Sequence, residues 1–178
     1  MKLVEVLKSE RIHYFWSGID AVSSGKAFIS LNNWIKNPSS KQIATLFINS
    51  PGGTLSDTWA LVDLIENSGM EIRTVGMGMI SSAALLLLMA GTRGQRFALP
   101  RTFFMSHHFR WPFAERPDYL ELKERRIAED FIFQSMERYF ITHSKLNRRT
   151  VNRFLNSQDK YFEAKEALEA GFIDEIIK

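Results

Sequence analysis

Short apolar runs alternate with stretches of helical periodicity along most of the chain. Runs rich in β-branched and aromatic residues predict strands at 12–16, 43–49, 72–75, 95–99, 103–106 and 172–177. Apolar residues recurring every three or four positions predict helices at about 20–36, 54–68, 82–90, 118–144, 147–155 and 162–170. Strands that alternate with helices indicate an α/β fold with a mainly parallel sheet.

Two stretches of this pattern differ from the rest. Residues 1–10 are short and charged, and we expect a mobile arm or a first irregular element there. The helix at 118–144 is long for a small domain, which suggests that part of it projects and packs against another subunit. A long helix within the core is the alternative. We expect residues 1–178 to form a single domain.

Composition narrows the class of protein. The content of 45% hydrophobic residues and 14 Phe is ample for a core, and the net charge of +3 is weak support for nucleic-acid binding. The absence of cysteine excludes disulfides and thiolate metal sites and fits a reducing compartment. The apolar run at 80–89 is shorter than the ~18 residues of a membrane span, and it predicts a buried helix. We therefore expect a cytoplasmic protein with neither nucleic acid nor membrane as a partner.

Two adjacent serines, Ser81 and Ser82, separate a strand with two glycines from a strongly apolar helix. A serine at a helix start lies near backbone N–H groups that lack partners, and their positive field stabilises an alkoxide or an oxyanion. Serine is also a favoured N-cap residue, so an ordinary cap on a buried helix is the alternative.

Two histidines, His107 and His108, follow the strand at 103–106. The connection from the serines is long enough to bring neighbouring strand ends to one sheet edge, where an imidazole could act as a base for a hydroxyl nucleophile. A surface or interface histidine is the alternative. Adjacent residues on extended backbone face opposite sides, and no carboxylate stands at ligand spacing, so we expect no metal and no cofactor.

The turn at 50–53, Ser-Pro-Gly-Gly, could present free backbone N–H groups as an oxyanion hole. A plain connection between a strand and a helix is the alternative for this turn.

Five motifs occur in a fixed order and closely resemble the Clp protease proteolytic subunit family, ClpP, over nearly the whole chain. They are Ile48-Asn-Ser-Pro-Gly-Gly53, Met77-Gly-x-x-x-Ser82, Arg96-Phe-Ala-Leu-Pro100, Met105-x-His107 and Glu166-Ala-x-x-Ala-Gly-Phe-Ile-Asp174. The resemblance implies a ClpP/crotonase-type α/β fold of repeated β-β-α units with a projecting handle helix at about 118–144. It also implies a serine endopeptidase that hydrolyses unfolded polypeptides inside an oligomeric chamber.

The resemblance assigns the site residues by position. Counting from the motifs places the family's nucleophile on Ser82 and its histidine on His107. The oxyanion hole maps to the N–H groups of Gly53 and Ala83. The rings implied are heptamers or double heptamers that stack through the long helix, with an ATP-driven AAA+ unfoldase feeding the chamber.

The third member of the triad departs from the family pattern. Ungapped counting from Glu163-Ala-Lys-Glu-Ala167 places the family's aspartate on Leu155, and a shift of one residue places it on Asn156. Asp159 matches a later family aspartate. Asn156 is the candidate by alignment, although an amide in place of the acid costs a serine protease about 10⁴ in kcat.

The segment after the histidines also departs from the family. Phe109-Arg-Trp-Pro-Phe113 and Glu115-Arg-Pro117 replace a glycine-rich strand that pairs with substrate, and proline cannot donate to a strand ladder. Two other functions stay open. One is a catalytically weak or inactive ring subunit with a structural or regulatory role, and the other is a crotonase-like enzyme acting on acyl-CoA thioesters.

Overall fold

The computed structural model describes residues 2–37, 43–108 and 118–177. In these ranges the strands are β1 Ile12–Phe15, β2 Ala44–Ser50, β3 Ile72–Ser81, β4 Arg96–Ala98, β5 Phe103–Ser106, β6 Lys160–Glu163 and β7 Glu175–Ile176. The helices are α1 Leu3–Val6, α2 Ala21–Lys36, α3 Leu55–Asn67, α4 Ala83–Met89, α5 Tyr119–His143, α6 Arg148–Leu155 and α7 Ala164–Ala170. The predicted α/β class is confirmed.

The sheet is mainly parallel, as predicted. Strands β1, β2, β3, β4 and β7 lie in this order and run parallel. The second half of β3 pairs in parallel with β5, and β6 closes the edge antiparallel to β5. Single strands alternate with helices from β1 to α4, so the expected β-β-α grouping is seen only in β4-β5-α5 among the described elements. Because β3 and β5 are parallel neighbours, their carboxyl ends reach the same edge.

Strand β3 is longer than predicted. The glycines after Val75 predict a turn, but the strand continues through them to Ser81. Gly78 has φ +61°, and the Asn49 side-chain oxygen accepts a hydrogen bond of 3.1 Å from the Met79 amide. The glycines therefore form a bulge that bends β3 without ending it. The bend carries the second half of the strand from β4 to β5.

Two short elements were not predicted. Residues 160–163 form β6, so the helix expected from 162 begins at Ala164. Only Phe162 of this strand is buried, stacked 5.3 Å from the Phe104 ring, and one inward residue is too few to show alternation. The charged start of the chain forms helix α1, where a mobile or irregular arm was expected. Val6 anchors it by packing with Phe47, Val75 and other apolar residues of the sheet.

The main core lies between the sheet and its helices. All seven residues of α4 are buried, which confirms a buried helix for residues 83–89 of the apolar run, whereas Ile80 and Ser81 belong to β3. Its aliphatic residues pack with α3 and with the inward face of β2, including Leu46 and Ile48. Across the described ranges, no helix is both long and apolar enough to cross a bilayer.

Helix α5 is a single helix of 25 residues, close to the predicted bounds. Asp118 caps it by accepting from the Glu121 amide at 2.9 Å, and Glu121 returns a contact to the Asp118 amide. Tyr139 and Phe140 are buried in its last turns. The first half instead exposes large apolar side chains, namely Tyr119, Leu120, Leu122, Ile127 and Phe131. These exposed residues favour packing against another subunit, which stays a prediction.

Arg96 and Asp174 fasten the end of the chain to the end of α5. Arg96 is 5% exposed. Its guanidinium donates two hydrogen bonds to Asp174, at 2.6 and 3.0 Å, and one of 2.7 Å to the His143 carbonyl, and its backbone amide donates to Asp174 at 3.0 Å. Burial opposes the Asp174 charge, but the hydrogen bonds from Arg96 and Gly94 prevail and hold the pKa of this carboxyl below its ordinary value.

Removing this anchor is expected to destabilise the fold. Arg96→Met leaves Asp174 partly buried without its counterion, and we expect a loss of about 3 kcal/mol in the free energy of unfolding, measured by urea denaturation. Arg101→Met, at an exposed arginine, is the control.

Because the Asp174 pKa is lower in the folded state, the contribution of this carboxylate to the free energy of unfolding is present above the unfolded pKa of about 3.9. That contribution is lost as the pH falls through the folded value. The stability gap between wild type and Asp174→Asn should therefore narrow below about pH 4. A gap that widens there would contradict this account.

Candidate active site

The register of β3 against β5 brings Ser82 and His107 together. Ser81 pairs with Met105, and the Ser82 amide donates to the Met105 carbonyl at 2.8 Å. The residue after each of these strand ends therefore emerges at the same edge of the sheet. There the His107 Nε2 lies 2.8 Å from the Ser82 Oγ, within hydrogen-bond reach.

Ser82 sits on a sharp turn between β3 and α4. Its backbone has φ 54° and ψ −125°, and it is the one non-glycine with positive φ in the described part of the chain. Such backbone costs about 1–3 kcal/mol and clusters at functional sites. Ser82 holds the N-cap position but makes no capping hydrogen bond with its side chain. The interpretation as an ordinary helix cap is therefore wrong for Ser82.

The neighbouring serine and histidine do not share this geometry. Ser81 is buried, and its Oγ lies 3.7 Å from the Met105 sulfur. His108 is exposed, and its amide donates to the Ser157 carbonyl at 3.2 Å. The close contact between hydroxyl and imidazole thus joins Ser82 to His107, the pair expected from the motif positions.

The turn after β2 passes directly over Ser82. A Cβ atom on Gly52 would lie 2.8 Å from the Ser82 Cβ and 3.0 Å from the Ala83 nitrogen. On Gly53, with φ +153°, it would lie 2.1 Å from the Ile19 carbonyl oxygen. The two glycines therefore let this backbone run between Ile19 and the start of α4. Ala83 is the first residue of α4, where amides lack a helical partner.

A cavity of about 110 Å³ contains both candidate donors and both candidate reacting groups. Its wall is otherwise mostly apolar. The lining residues are Gly53, Leu55, Ser82, Ala83, Ser106, His107, Met136, Phe140 and Leu155. Sequence reasoning missed the part of this wall that comes from α5. Met136 and Phe140 stand four residues apart and so share one helix face, but that spacing alone does not distinguish a site wall from core.

The three candidates for the third triad position have different surroundings. Asn156 is exposed at the end of α6, and its Nδ2 donates to the Asn152 carbonyl at 2.9 Å. No contact joins Asn156 to His107 within the described residues, so the structure does not bring the aligned candidate to the imidazole. Leu155 is buried and lines the cavity with His107. Asp159 is exposed in the loop before β6.

Two further predictions from the sequence are that no metal is bound and that the segment after the histidines departs from the family pattern. Among the described residues, no group of three or more His, Asp or Glu side chains is placed to hold a metal ion. The substitutions expected at 109–113 and 115–117, in place of a glycine-rich strand, lie outside the described residues.

Several curated proteins are similar to the chain. It is 34% identical over 136 residues to ATP-dependent Clp protease proteolytic subunit 2 of Thermobifida fusca, covering 75% of this chain and 64% of that protein. It is 31% identical over 172 residues to the subunit 2 of Frankia casuarinae, covering 97% and 77%. It is 31% identical over 175 residues to the subunit 1 of Mycobacterium tuberculosis, covering 97% and 84%. The chain thus spans less than two thirds of the first relative and most of the other two.

A family comparison covers the whole chain. The model for Clp protease matches residues 1–178, so the match includes the five ordered motifs and both strands that carry Ser82 and His107. The family consists of peptidase subunits, in agreement with the names of the similar proteins. The resemblance predicted from the motifs is confirmed, and the chain belongs to the Clp protease family.

Proposed function

We propose that the chain is a serine endopeptidase subunit, with Ser82 as nucleophile and His107 as general base. The observation that carries this proposal is the 2.8 Å contact between the Ser82 Oγ and the His107 Nε2, made at a strained strand-to-helix turn. A hydroxyl presented on such a turn and bonded to an imidazole has the arrangement needed for acyl transfer.

The reaction follows from the two side chains. His107 Nε2 takes the hydroxyl proton as the Ser82 oxygen attacks the peptide carbonyl, giving a tetrahedral intermediate. The imidazolium returns the proton to the leaving amine, the C–N bond breaks and an acyl-enzyme remains. Water then enters, loses a proton to His107 and displaces the Ser82 oxygen, which regains its proton. The step needs no metal or cofactor.

The Gly53 and Ala83 amides are the proposed oxyanion hole. Both residues line the cavity that contains Ser82 and His107, and the two glycines bring this backbone close to the serine. Amide dipoles fixed before the reaction stabilise the negative oxygen without reorganisation, and removing one donor typically costs about 10²–10³ in kcat.

The substrate we propose is an extended, unfolded polypeptide. The cavity beside the nucleophile is small and has apolar walls from Leu55, Met136 and Phe140. An apolar side chain next to the scissile bond would fill these walls, which favours cleavage at apolar residues.

Asn156 contributes little to the chemistry in this proposal. Asn156 was the aligned candidate for orienting His107, but its amide is exposed and already bonded within α6. We therefore assign the chemistry to the Ser82–His107 pair, with Leu155 as an apolar part of the wall.

Asn156→Ala tests the role of the amide. We expect kcat for a fluorogenic peptide to stay within the same order of magnitude, because the side chain makes no contact with His107 among the described residues. If the amide instead held the imidazole, its loss should approach the ~10⁴ effect of altering a triad acid. A fall of that size with the fold intact would restore Asn156 to the triad.

Assembly is proposed from the family. Clp protease subunits form oligomeric rings that work with Clp ATPases. We infer heptameric rings, single or stacked, with the exposed apolar residues of α5 at the contact between rings, and an AAA+ unfoldase as partner. The family is usually cytoplasmic in bacteria, and we expect the same location here.

One specific observation keeps a second function open, a catalytically weak ring subunit. The ungapped register places the family's acid on Leu155, which is buried and apolar in the cavity wall. Peptide hydrolysis by the purified chain separates the two functions. Steady turnover that is lost in Ser82→Ala supports the peptidase. Turnover only in the presence of an active homologous subunit, unchanged by Ser82→Ala, supports the weak subunit.

A further inference from the structure

A second, larger cavity lies between α3 and α5, away from the reacting atoms. Its volume is about 570 Å³, within the range of about 300–1,000 Å³ that is typical of small-molecule sites. Leu55 and Trp59 of α3 form one wall, and Phe131 and Tyr139 of α5 contribute to the other. Neither the peptidase chemistry nor the oxyanion hole uses this space.

The body of the cavity is aromatic. The Trp59 ring meets Tyr139 edge to face, with centroids 5.1 Å apart. The Tyr139 hydroxyl points away, since it donates to the buried Leu86 carbonyl at 3.2 Å. Burial also raises the pKa of Tyr139, so the phenol stays neutral. Tyr139 therefore contributes an apolar ring to the cavity, which suits an aromatic or aliphatic group.

Among the described residues that line the cavity, Arg138 is the cation that a ligand can meet. His143 is already engaged, since its Nε2 lies 3.0 Å from a Glu66 carboxylate oxygen and its ring stacks 4.0 Å from Tyr139. The exposed Arg138 donates to the Ser135 hydroxyl at 3.1 Å. Its guanidinium has no carboxylate partner within the described part of the chain, and guanidinium groups pair well with carboxylates.

We propose that this cavity binds a monocarboxylate with an apolar body, whose acid group meets Arg138 and whose body packs against Trp59 and Tyr139. The site would be coupled to the active site, because Leu55 lines both cavities and α3 starts two residues after Gly53. Binding does not depend on the proposed function, whereas an effect of the ligand on peptide turnover does.

Calorimetric titration of the full chain with phenylbutyrate tests the proposal. The neutral phenylbutyramide has a similar body without the charge, and we expect it to bind more weakly. Arg138→Met should weaken phenylbutyrate binding by about fivefold, the upper end for an exposed ion pair. Arg126→Met, at an exposed arginine elsewhere on α5, should leave binding unchanged. Equal binding of acid and amide, or no effect of Arg138→Met, would overturn the assignment.

A filled cavity provides the second test. Ser56 is exposed and lines the cavity, so Ser56→Phe should abolish binding while Ser56→Ala retains it. Ser82→Ala should bind as the wild type does, which separates this site from the peptidase. Titration with acetyl-phenylalanyl-leucine, compared with phenylbutyrate, shows whether the bound carboxylate belongs to the carboxyl terminus of a peptide or to a small organic acid. If Ser56→Phe still binds phenylbutyrate, or if it changes only the mass of the native oligomer, phenylbutyrate does not bind in this cavity.

Discussion

Replacing Ser82 with alanine is expected to abolish peptide hydrolysis. The substitution removes the oxygen that lies 2.8 Å from the His107 Nε2 and leaves the two proposed oxyanion donors, the Gly53 and Ala83 amides, in place. Loss of a serine nucleophile lowers kcat by about 10⁶ in a subtilisin-type protease, and a residual rate then comes from the oxyanion hole and substrate binding. The measurement is the steady-state rate with a fluorogenic peptide, at matched protein concentration and particle mass.

Ser81→Ala is the matched control for this prediction. Ser81 is adjacent, has the same side chain and is buried beside the Met105 sulfur, so its loss removes a hydroxyl without touching His107. Its rate should stay within the same order of magnitude as that of the wild type. Equal losses in the two variants would mean that the helix start, and not the Ser82 oxygen, determines activity.

Replacing Gly53 with alanine is expected to produce the second large loss. A methyl group would lie 2.1 Å from the Ile19 carbonyl oxygen, at a φ of +153° that side chains rarely adopt. The turn must therefore move, and the Gly53 amide moves with it. Since an oxyanion donor is worth about 10²–10³ in kcat, we expect a loss of at least this order with a smaller change in KM.

Gly25→Ala is the control for Gly53→Ala. Gly25 lies within α2, and a Cβ atom there meets nothing within 4 Å. Alanine is more favourable in a helix than glycine by about 1 kcal/mol, so this variant should unfold at a slightly higher temperature than the wild type. It should also keep its activity. Thermal unfolding of both variants shows whether Gly53→Ala still folds. A folded Gly53→Ala protein with wild-type kcat would remove Gly53 from the oxyanion hole.

The order of motifs was sufficient to predict that Ser82 and His107 lie together. Ser82 and His107 are 25 residues apart, and the sequence places Ser82 at the start of an apolar helix and His107 just after a predicted strand. Parallel pairing of β3 with β5 then makes their contact a consequence of topology. The glycines at 52 and 53 were informative for a similar reason, since close backbone approach leaves little room for a side chain.

Local sequence did not predict the features that depend on tertiary contacts. From the sequence, the glycines of β3 indicate a turn. In the structure the Met79 amide donates to the Asn49 side chain across the bulge, and this long-range contact keeps the strand continuous. The apolar wall from Met136 and Phe140 depends on how α5 lies across the core, which helical periodicity does not specify. The residue assigned to the third triad position changes when the alignment at the end of α6 shifts by one residue. One alignment gives the buried Leu155 and the other gives the exposed Asn156.

Labelling with a fluorophosphonate, followed by peptide mapping, tests the activated serine most directly. Only a hydroxyl whose proton is withdrawn by a base should displace fluoride rapidly, so the reagent reports on the contact between Ser82 and His107 whether or not peptides turn over. We predict one phosphonylated site, at Ser82, with the adduct absent in Ser82→Ala and formed much more slowly in His107→Gln. Equal labelling of wild type and Ser82→Ala, or an adduct on another serine, would contradict the account.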